Sequence, residues 1–265
     1  MRLRVEFTAP TAVFVPWNYP HHLHGMLTQA ILRVRPSLEG LFHREGFQAD
    51  GHRYRMLTAS WLFPKQARSH TDGLLLEPPI RWWVSSPLSA LMEALAVAFL
   101  QEPERRLGAA VLTVVNISVE PLPSFAQPVE LRTISPIIVS TVEERMGKRH
   151  RRFLSPDQPE FWRNLERNLQ RKARALFGSA ESFRPLVFRP VGQWHSRLVS
   201  VQGTQVRAFQ LRFWATGDET LLALGYDAGF GERNQQCFGM VSLARHSQMA
   251  PSAGGSEQSE ALVSP

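Results

Sequence analysis

Apolar and polar positions alternate at the start of the chain, where Leu3, Val5 and Phe7 stand between charged or polar neighbours. That period predicts a strand buried on one face. In YPHHLHGMLTQAILRV (19–34) the period lengthens: Leu23, Leu27, Ala30, Ile31 and Val34 recur at helical spacing. Two strand-like runs follow, RYRMLTASWLF (53–63) and IRWWVS (80–85). SPLSALMEALAVAFL then predicts a second helix, with Ser86 as N-cap, Pro87 at the first helical position, and Leu88, Leu91, Met92, Leu95 and Phe99 on one face. AAVLTVVNISVEPL (109–122) closes the unit as a strand, giving the order β-α-β-β-α-β.

The same order recurs. VELRTISPIIVS (129–140) reads as a strand in which Pro136 marks an edge, an end or a bulge. EFWRNLERNLQRKARAL (160–176) is helical, with Phe161, Leu165, Leu169, Ala173 and Leu176 on one stripe and Gly178 placed to end it. RLVSV and VRAFQLRFW flank Gly203 and Thr204 as a hairpin. A short helix from Asp218 to Tyr226 and a last strand, FGMVSL, complete the repeat. The fold class expected is α+β, two tandem ferredoxin-like (RRM-like) βαββαβ domains. The first spans 1–122 and the second 129–245, joined across Pro121 to Pro128. The polar stretch 246–265 is expected to be a disordered tail.

The 265 residues carry a formal net charge of +7 and a pI of about 10.4, so a polyanionic partner is expected. Charge alone does not separate RNA, DNA and a membrane surface. Cys237 is the single cysteine, which excludes an intramolecular disulfide and fits a reducing cytoplasm. No run approaches the roughly 20 apolar residues that span a bilayer, and the first residues lack a signal-peptide core. The expectation is a cytoplasmic protein with no membrane partner.

Three clusters bear chemistry. His21, His22 and His24 invite a metal reading, but zinc sites assemble three or four ligands and no matching Cys, Asp or Glu pair accompanies them. No metal and no cofactor are expected. RMGKRHRR (145–152) packs Arg145, Lys148, Arg149, Arg151 and Arg152 together, and Arg163, Arg167, Arg171 and Arg174 recur on the following helix, whose only acids are Glu160 and Glu166. Solvated helix faces mix signs, so this bias points to phosphate contact. Finally, GFGERNQQCFGMV (229–241) either turns the chain or lays backbone N–H groups against a phosphate chain, with Gly229, Gly231, Arg233, Asn234, Gln235 and Gln236 as the contacts. The tryptophans Trp82, Trp83, Trp162, Trp194 and Trp214 could stack on bases, although most are expected in the core or an interface.

Five stretches in order resemble the CRISPR-associated repeat-RNA endoribonuclease family of the RAMP superfamily: LFHREGF (41–47), YRMLTASWLFP (54–64), LRTISPIIV (131–139), FLSPDQPEFWRNLERNLQRKARALFG (153–178) and GFGERNQQCFGMV. The resemblance covers residues 1 to about 243. Two positions depart from the family pattern. Cys237 replaces the first glycine of the second Gly-aromatic-Gly, and the first helix carries no tyrosine between Met26 and Ile31.

The resemblance implies metal-independent cleavage in which the ribose 2′-hydroxyl attacks the adjacent phosphorus, leaving a 2′,3′-cyclic phosphate and a 5′-hydroxyl. Such a reaction needs a base, an acid and positive charge for the phosphorane. His43, following the helical turn SLEGLF, is the expected catalytic residue, with His24 and His52 as alternatives. His52, Arg53 or Lys65 supplies a basic helper. Tyr54 either substitutes for the missing helix tyrosine or, as expected more, takes a core or strand-pairing role. The partners implied are CRISPR repeat RNA and crRNA, together with other CRISPR-associated effector subunits, in a monomer or homodimer. The missing helix tyrosine leaves open a non-catalytic crRNA-binding subunit of the same fold.

Overall fold

The computed structural model describes residues 1–43, 46–145, 147–178, 182–201 and 203–244. The expected tail at 246–265 lies outside them, as do Arg44, Glu45 and Met146, and the side chains of His43 and Arg145 lie outside what the structure describes. In chain order the first half runs β1 (Arg2–Thr8), β2 (Val13–Pro16), α1 (Tyr19–Val34), α2 (Glu39–His43), β3 (Phe47–Ala49), β4 (His52–Tyr54), β5 (Thr58–Ala59), β6 (Phe63–His70), β7 (Gly73–Ser85), α3 (Ser89–Gln101), β8 (Glu104–Leu107) and β9 (Ala110–Glu120). The second half runs β10 (Val129–Thr133), β11 (Ser140–Arg145), β12 (Lys148–Phe153), α4 (Pro159–Phe177), β13 (Val187–Val201), β14 (Thr204–Thr216), α5 (Glu219–Ala228) and β15 (Val241–Leu243).

Both halves use one strand order. In the first, β1 lies between β7 and β9, and β6 pairs on the far side of β7. In the second, β10 lies between β14 and β15, with β13 outermost. Each is the antiparallel βαββαβ sheet of a ferredoxin-like fold, extended in the first half by β2, β5 and β8. The alternation of β1 sets its register: Val5 lies opposite Trp82 and Ile117, and Leu3, Val5 and Phe7 are buried beneath α1 and α3. In the second half Leu131, Phe209 and Phe213 meet Phe161, Leu165 and Leu169 of α4.

Several boundaries move. The run at 53–63 is broken, because Met56 takes a left-handed φ of 52°. The strand that pairs along β7 begins at Phe63, and its following residues Lys65 to His70 are exposed. The strand at 129–140 ends at Thr133, and the Pro136 carbonyl instead accepts the Gly239 N–H at 2.8 Å. α3 starts at Ser89, while Ser86 Oγ accepts the Leu88 N–H at 3.0 Å, so the serine shapes the turn one step before the helix. The basic run 145–152 spans the end of one hairpin arm and most of the other, with Arg145 opposite Lys148, Glu143 opposite His150 and Val142 opposite Arg151.

The halves are stitched together by buried polar contacts. Arg2 donates to the carbonyls of Tyr226 (2.6 Å) and Val241 (2.9 Å), with its guanidinium 3.5 Å over the Tyr226 ring. Thr58 Oγ1 donates to Phe238 O, Trp61 Nε1 to Cys237 O, and Ser135 Oγ to Ala59 O, all near 3 Å. These bonds clamp the glycine-rich loop against the first half.

Candidate functional site

A cleft of about 500 Å³ runs where β4 and its exit, from His52 to Leu57, face α4, the β11–β12 hairpin and the loop from Gly231 to Gln235. Arg53, Arg55, Arg151, Arg167, Arg171 and Arg233 line it, and Glu232 is the sole acidic lining residue among the described residues. Two like-charged pairs are held close there. Burial, and then Arg53, lowers the pKa of Arg55; burial, and then Arg151, lowers that of Arg233. Cations kept beside each other in a partly dry place attract an anion strongly.

α2 ends at His43, whose side chain lies outside what the structure describes. The Phe42 carbonyl, one residue earlier, accepts from Arg55 Nε at 3.2 Å and Nη2 at 3.0 Å. Sequence reasoning passed over Arg55, whose partner is a backbone carbonyl thirteen residues away and leaves no side-chain signal. Of the expected helpers, His52 lines the cleft with its ring stacked 6.4 Å from Tyr54, and Arg53 lines it too. Lys65 is exposed on β6 at a bulge and is not among the lining residues. His24 is half-buried on α1 and is likewise not a lining residue. Burial pushes the Tyr54 phenol up to about 12 against the pull of Arg171, so it is protonated at neutral pH. The α1 tyrosine, Tyr19, is buried against Trp61.

The basic residues divide. On β12, Lys148, Arg149 and Arg151 are exposed, and Arg151 faces the cleft. Arg152 is consumed by Glu143 and Glu160, the latter at 2.9 Å. On α4, Arg163 and Arg167 are exposed and Arg167 lines the cleft. Arg171 and Arg174 reach Asp50 in the β3–β4 turn, at 3.7 and 2.6 Å, tying that hairpin to the second half. The acid lies 124 residues from Arg174 in sequence, so inspection of the helix alone could not reveal it.

The glycine-rich loop uses much of its backbone on the protein itself. Gly229, Phe230, Glu232, Gln236, Cys237 and Gly239 donate their N–H groups to carbonyls of Gly225, Gly239, Ile138, Arg233, Asn234 and Pro136. Its glycines are required by close approach: a Cβ on Gly239 would lie 1.9 Å from Phe230 O, and one on Gly231 2.4 Å from Ile138 O. Cys237 takes the glycine-like φ of 65° with its thiol buried, so the bend keeps its tightness without the glycine. Asn234 is spent inside the loop, its Nδ2 bonding Phe230 O and Phe238 O. Arg233 and Gln235 are left facing the cleft. Trp82 is fully buried in the first core, and Trp162 and Trp194 pack against the second. Trp83 bonds Glu120, and Trp214 is half-buried on β14. His21 and His22 have rings 5.8 Å apart, and no three potential ligands converge among the described residues.

Comparison with known proteins supplies the context for this cleft. A family model described as CRISPR associated protein Cas6, C-terminal, matches residues 120–243. The chain is 30% identical over 236 residues to the CRISPR-associated endoribonuclease Cas6 of Pyrococcus furiosus, covering 86% of this chain and 83% of that protein. It is 25% identical over 246 residues to CRISPR-associated endoribonuclease Cas6 1 of Methanocaldococcus jannaschii, covering 91% and 92%. A solved Cas6-related protein from Pyrococcus furiosus superposes with a TM-score of 0.83 at 19% identity, over 93% of this chain and 99% of that one, which speaks to the fold.

Proposed function

The chain belongs to the Cas6 family of CRISPR-associated endoribonucleases, and from that premise we propose that it cuts CRISPR repeat RNA in precursor transcripts to release guide RNAs. The observation that carries the reading is the pair of like-charged arginine couples, Arg53 with Arg55 and Arg151 with Arg233, drawn from both halves onto one cleft. A phosphodiester chain laid between them relieves their repulsion and neutralises the cleft. Arg167 extends the same strip along α4, and Arg233 and Gln235 extend it along the loop.

The reaction is an internal transesterification without a metal ion. The 2′-oxygen forms its bond to phosphorus as its proton leaves to a base, and the bond from phosphorus to the 5′-oxygen breaks as that oxygen gains a proton. His43, at the end of α2, moves a proton at the reacting ribose or leaving oxygen; an imidazole suits this because its unperturbed pKa of about 6.5 lies near working pH. Arg55, bound to the carbonyl that precedes His43, brings fixed positive charge to the developing phosphorane. His52 stands on the cleft wall as the alternative proton carrier.

A second reading, a crRNA-binding subunit that does not cut, is favoured by the burial of Tyr19, which leaves α1 without an accessible tyrosine. Incubation with repeat RNA in EDTA separates the two. Cutting in chelator supports the nuclease, and tight binding of intact RNA supports the subunit. Cutting abolished by EDTA and restored by a divalent ion contradicts the metal-free chemistry.

A further inference from the structure

α4 turns Phe161, Leu165, Leu169 and Ala173 into the core, and Lys172 beside them is only 2% exposed. An ammonium carries three donors and no acceptor. Here Lys172 Nζ meets Gly229 O at 2.6 Å, Gly231 O at 3.1 Å and Asn234 Oδ1 at 2.7 Å. Asn234 passes the connection on, donating from Nδ2 to Phe230 O and Phe238 O at 3.0 Å each. One ammonium and one carboxamide thus bind both arms of the glycine-rich loop.

The loop needs such an anchor, because its own residues do not favour its path. Gly229, Gly231, Arg233, Cys237 and Gly239 all take left-handed φ. For Arg233 and Cys237, which carry side chains, that conformation is strained. Between the Lys172-bound points the chain swings past the cleft, with Glu232 bonded to Ser140 N (2.7 Å) and Oγ (2.8 Å) and Arg233 lining the cleft together with Arg151. Remove the ammonium and two buried carbonyls and a half-buried amide oxygen lose their donor together. A buried acceptor without a partner is costly, so the loop would rearrange before accepting that state.

We infer that Lys172 is a positioning residue for RNA engagement: it holds the glycine-rich loop in the conformation that presents Arg233 and Gln235 to the RNA backbone. The role rests on the cleft being an RNA site, but the hold itself does not. Lys172 need not touch RNA, since its donors are occupied by the loop.

The test uses Lys172→Met, which keeps the aliphatic bulk, in the full chain. Hydrogen exchange on the RNA-free protein should show amides 229–239 exchanging at least about tenfold faster in the variant, with β1, β7 and β14 unchanged. Affinity for repeat RNA should fall about tenfold, as is also expected for Arg233→Ala, and the double variant should bind no more weakly than either single one. Loss of a merely structural residue would add to Arg233→Ala instead. If Lys172→Met does not fold, Asn234→Ala removes the Oδ1 acceptor and both Nδ2 bonds across the loop while keeping the ammonium, and the same non-additivity with Arg233→Ala is expected. Unchanged loop exchange overturns the hold whatever the RNA result. Faster exchange with unaltered or additive RNA affinities overturns the positioning role. Failure of the unmodified protein to bind repeat RNA removes the reading of function and this role with it, while leaving the exchange result to stand on the hold alone.

Discussion

Arg55 donates from both Nε and Nη2 to the carbonyl of Phe42, so its guanidinium is fixed to the backbone immediately before His43. Lysine could not reproduce that fork, since it offers a point charge on a flexible stem. Arg55→Ala is therefore expected to lower kcat for repeat cleavage about a hundredfold. RNA affinity should fall less than about tenfold, because the other cleft arginines remain. Single-turnover cleavage beside a binding titration makes the comparison. Arg55→Lys should fall between the two proteins.

The division of the basic residues can be read from salt. Each phosphate contact on single-stranded RNA contributes about 0.7 to the slope of log affinity against log salt. Arg167→Ala and Arg151→Ala, which empty cleft positions, should each reduce the slope by about that amount. Arg152→Ala should leave the slope alone, because Arg152 is committed to Glu143 and Glu160. A lowered slope for Arg152→Ala would contradict this sorting.

Both βαββαβ repeats were legible because their buried strands and helices carry periodic apolar residues, such as Leu3, Val5 and Phe7 or Phe161, Leu165 and Leu169. The β11–β12 hairpin was not. Its charges lie on both arms, Glu143 and Glu144 against His150 and Arg149, so its alternation leaves no apolar signal. β6 was hidden for a related reason, as it is exposed from Lys65 onward. At the site, the resemblance pointed to the α2 terminus and the loop, and composition pointed to the arginines. Contacts that depend on tertiary placement, Arg174 with Asp50 and Lys172 with Gly229 and Gly231, have no local pattern to betray them.

Burial lowers Lys172 from 10.5 to about 7, against the pull of the Glu232 carboxylate. Between those values the unfolded chain holds the proton and the folded chain releases it. Unfolding then binds protons, so stability rises with pH across that window and the cost of the buried charge is fully present below it. Urea denaturation between pH 6 and about 10.5 should show this rise, on the order of a few kcal/mol, for the unmodified protein. The rise should be diminished in Lys172→Met.

Gly239→Ala places a methyl carbon 1.9 Å from Phe230 O and forces a left-handed φ on alanine. A loss of about 3 kcal/mol or more in urea denaturation is expected. Cys237→Gly is expected to lie within about 1 kcal/mol of the unmodified protein, since relief of the left-handed backbone offsets the loss of a buried thiol. Equal tolerance at both positions would contradict the close packing assigned to the second glycine of this pair.

The chemistry of the cut ends shows whether the RNA supplies its own nucleophile. Mass spectrometry of the fragments from repeat RNA, digested in excess EDTA, should find a 2′,3′-cyclic phosphate on the upstream piece and a 5′-hydroxyl on the downstream piece. A single 2′-deoxyribose before the cut should leave the RNA whole but bound. Fragments ending in a 3′-hydroxyl and a 5′-phosphate, or cutting that persists past the deoxyribose, would contradict the internal attack on which the account rests.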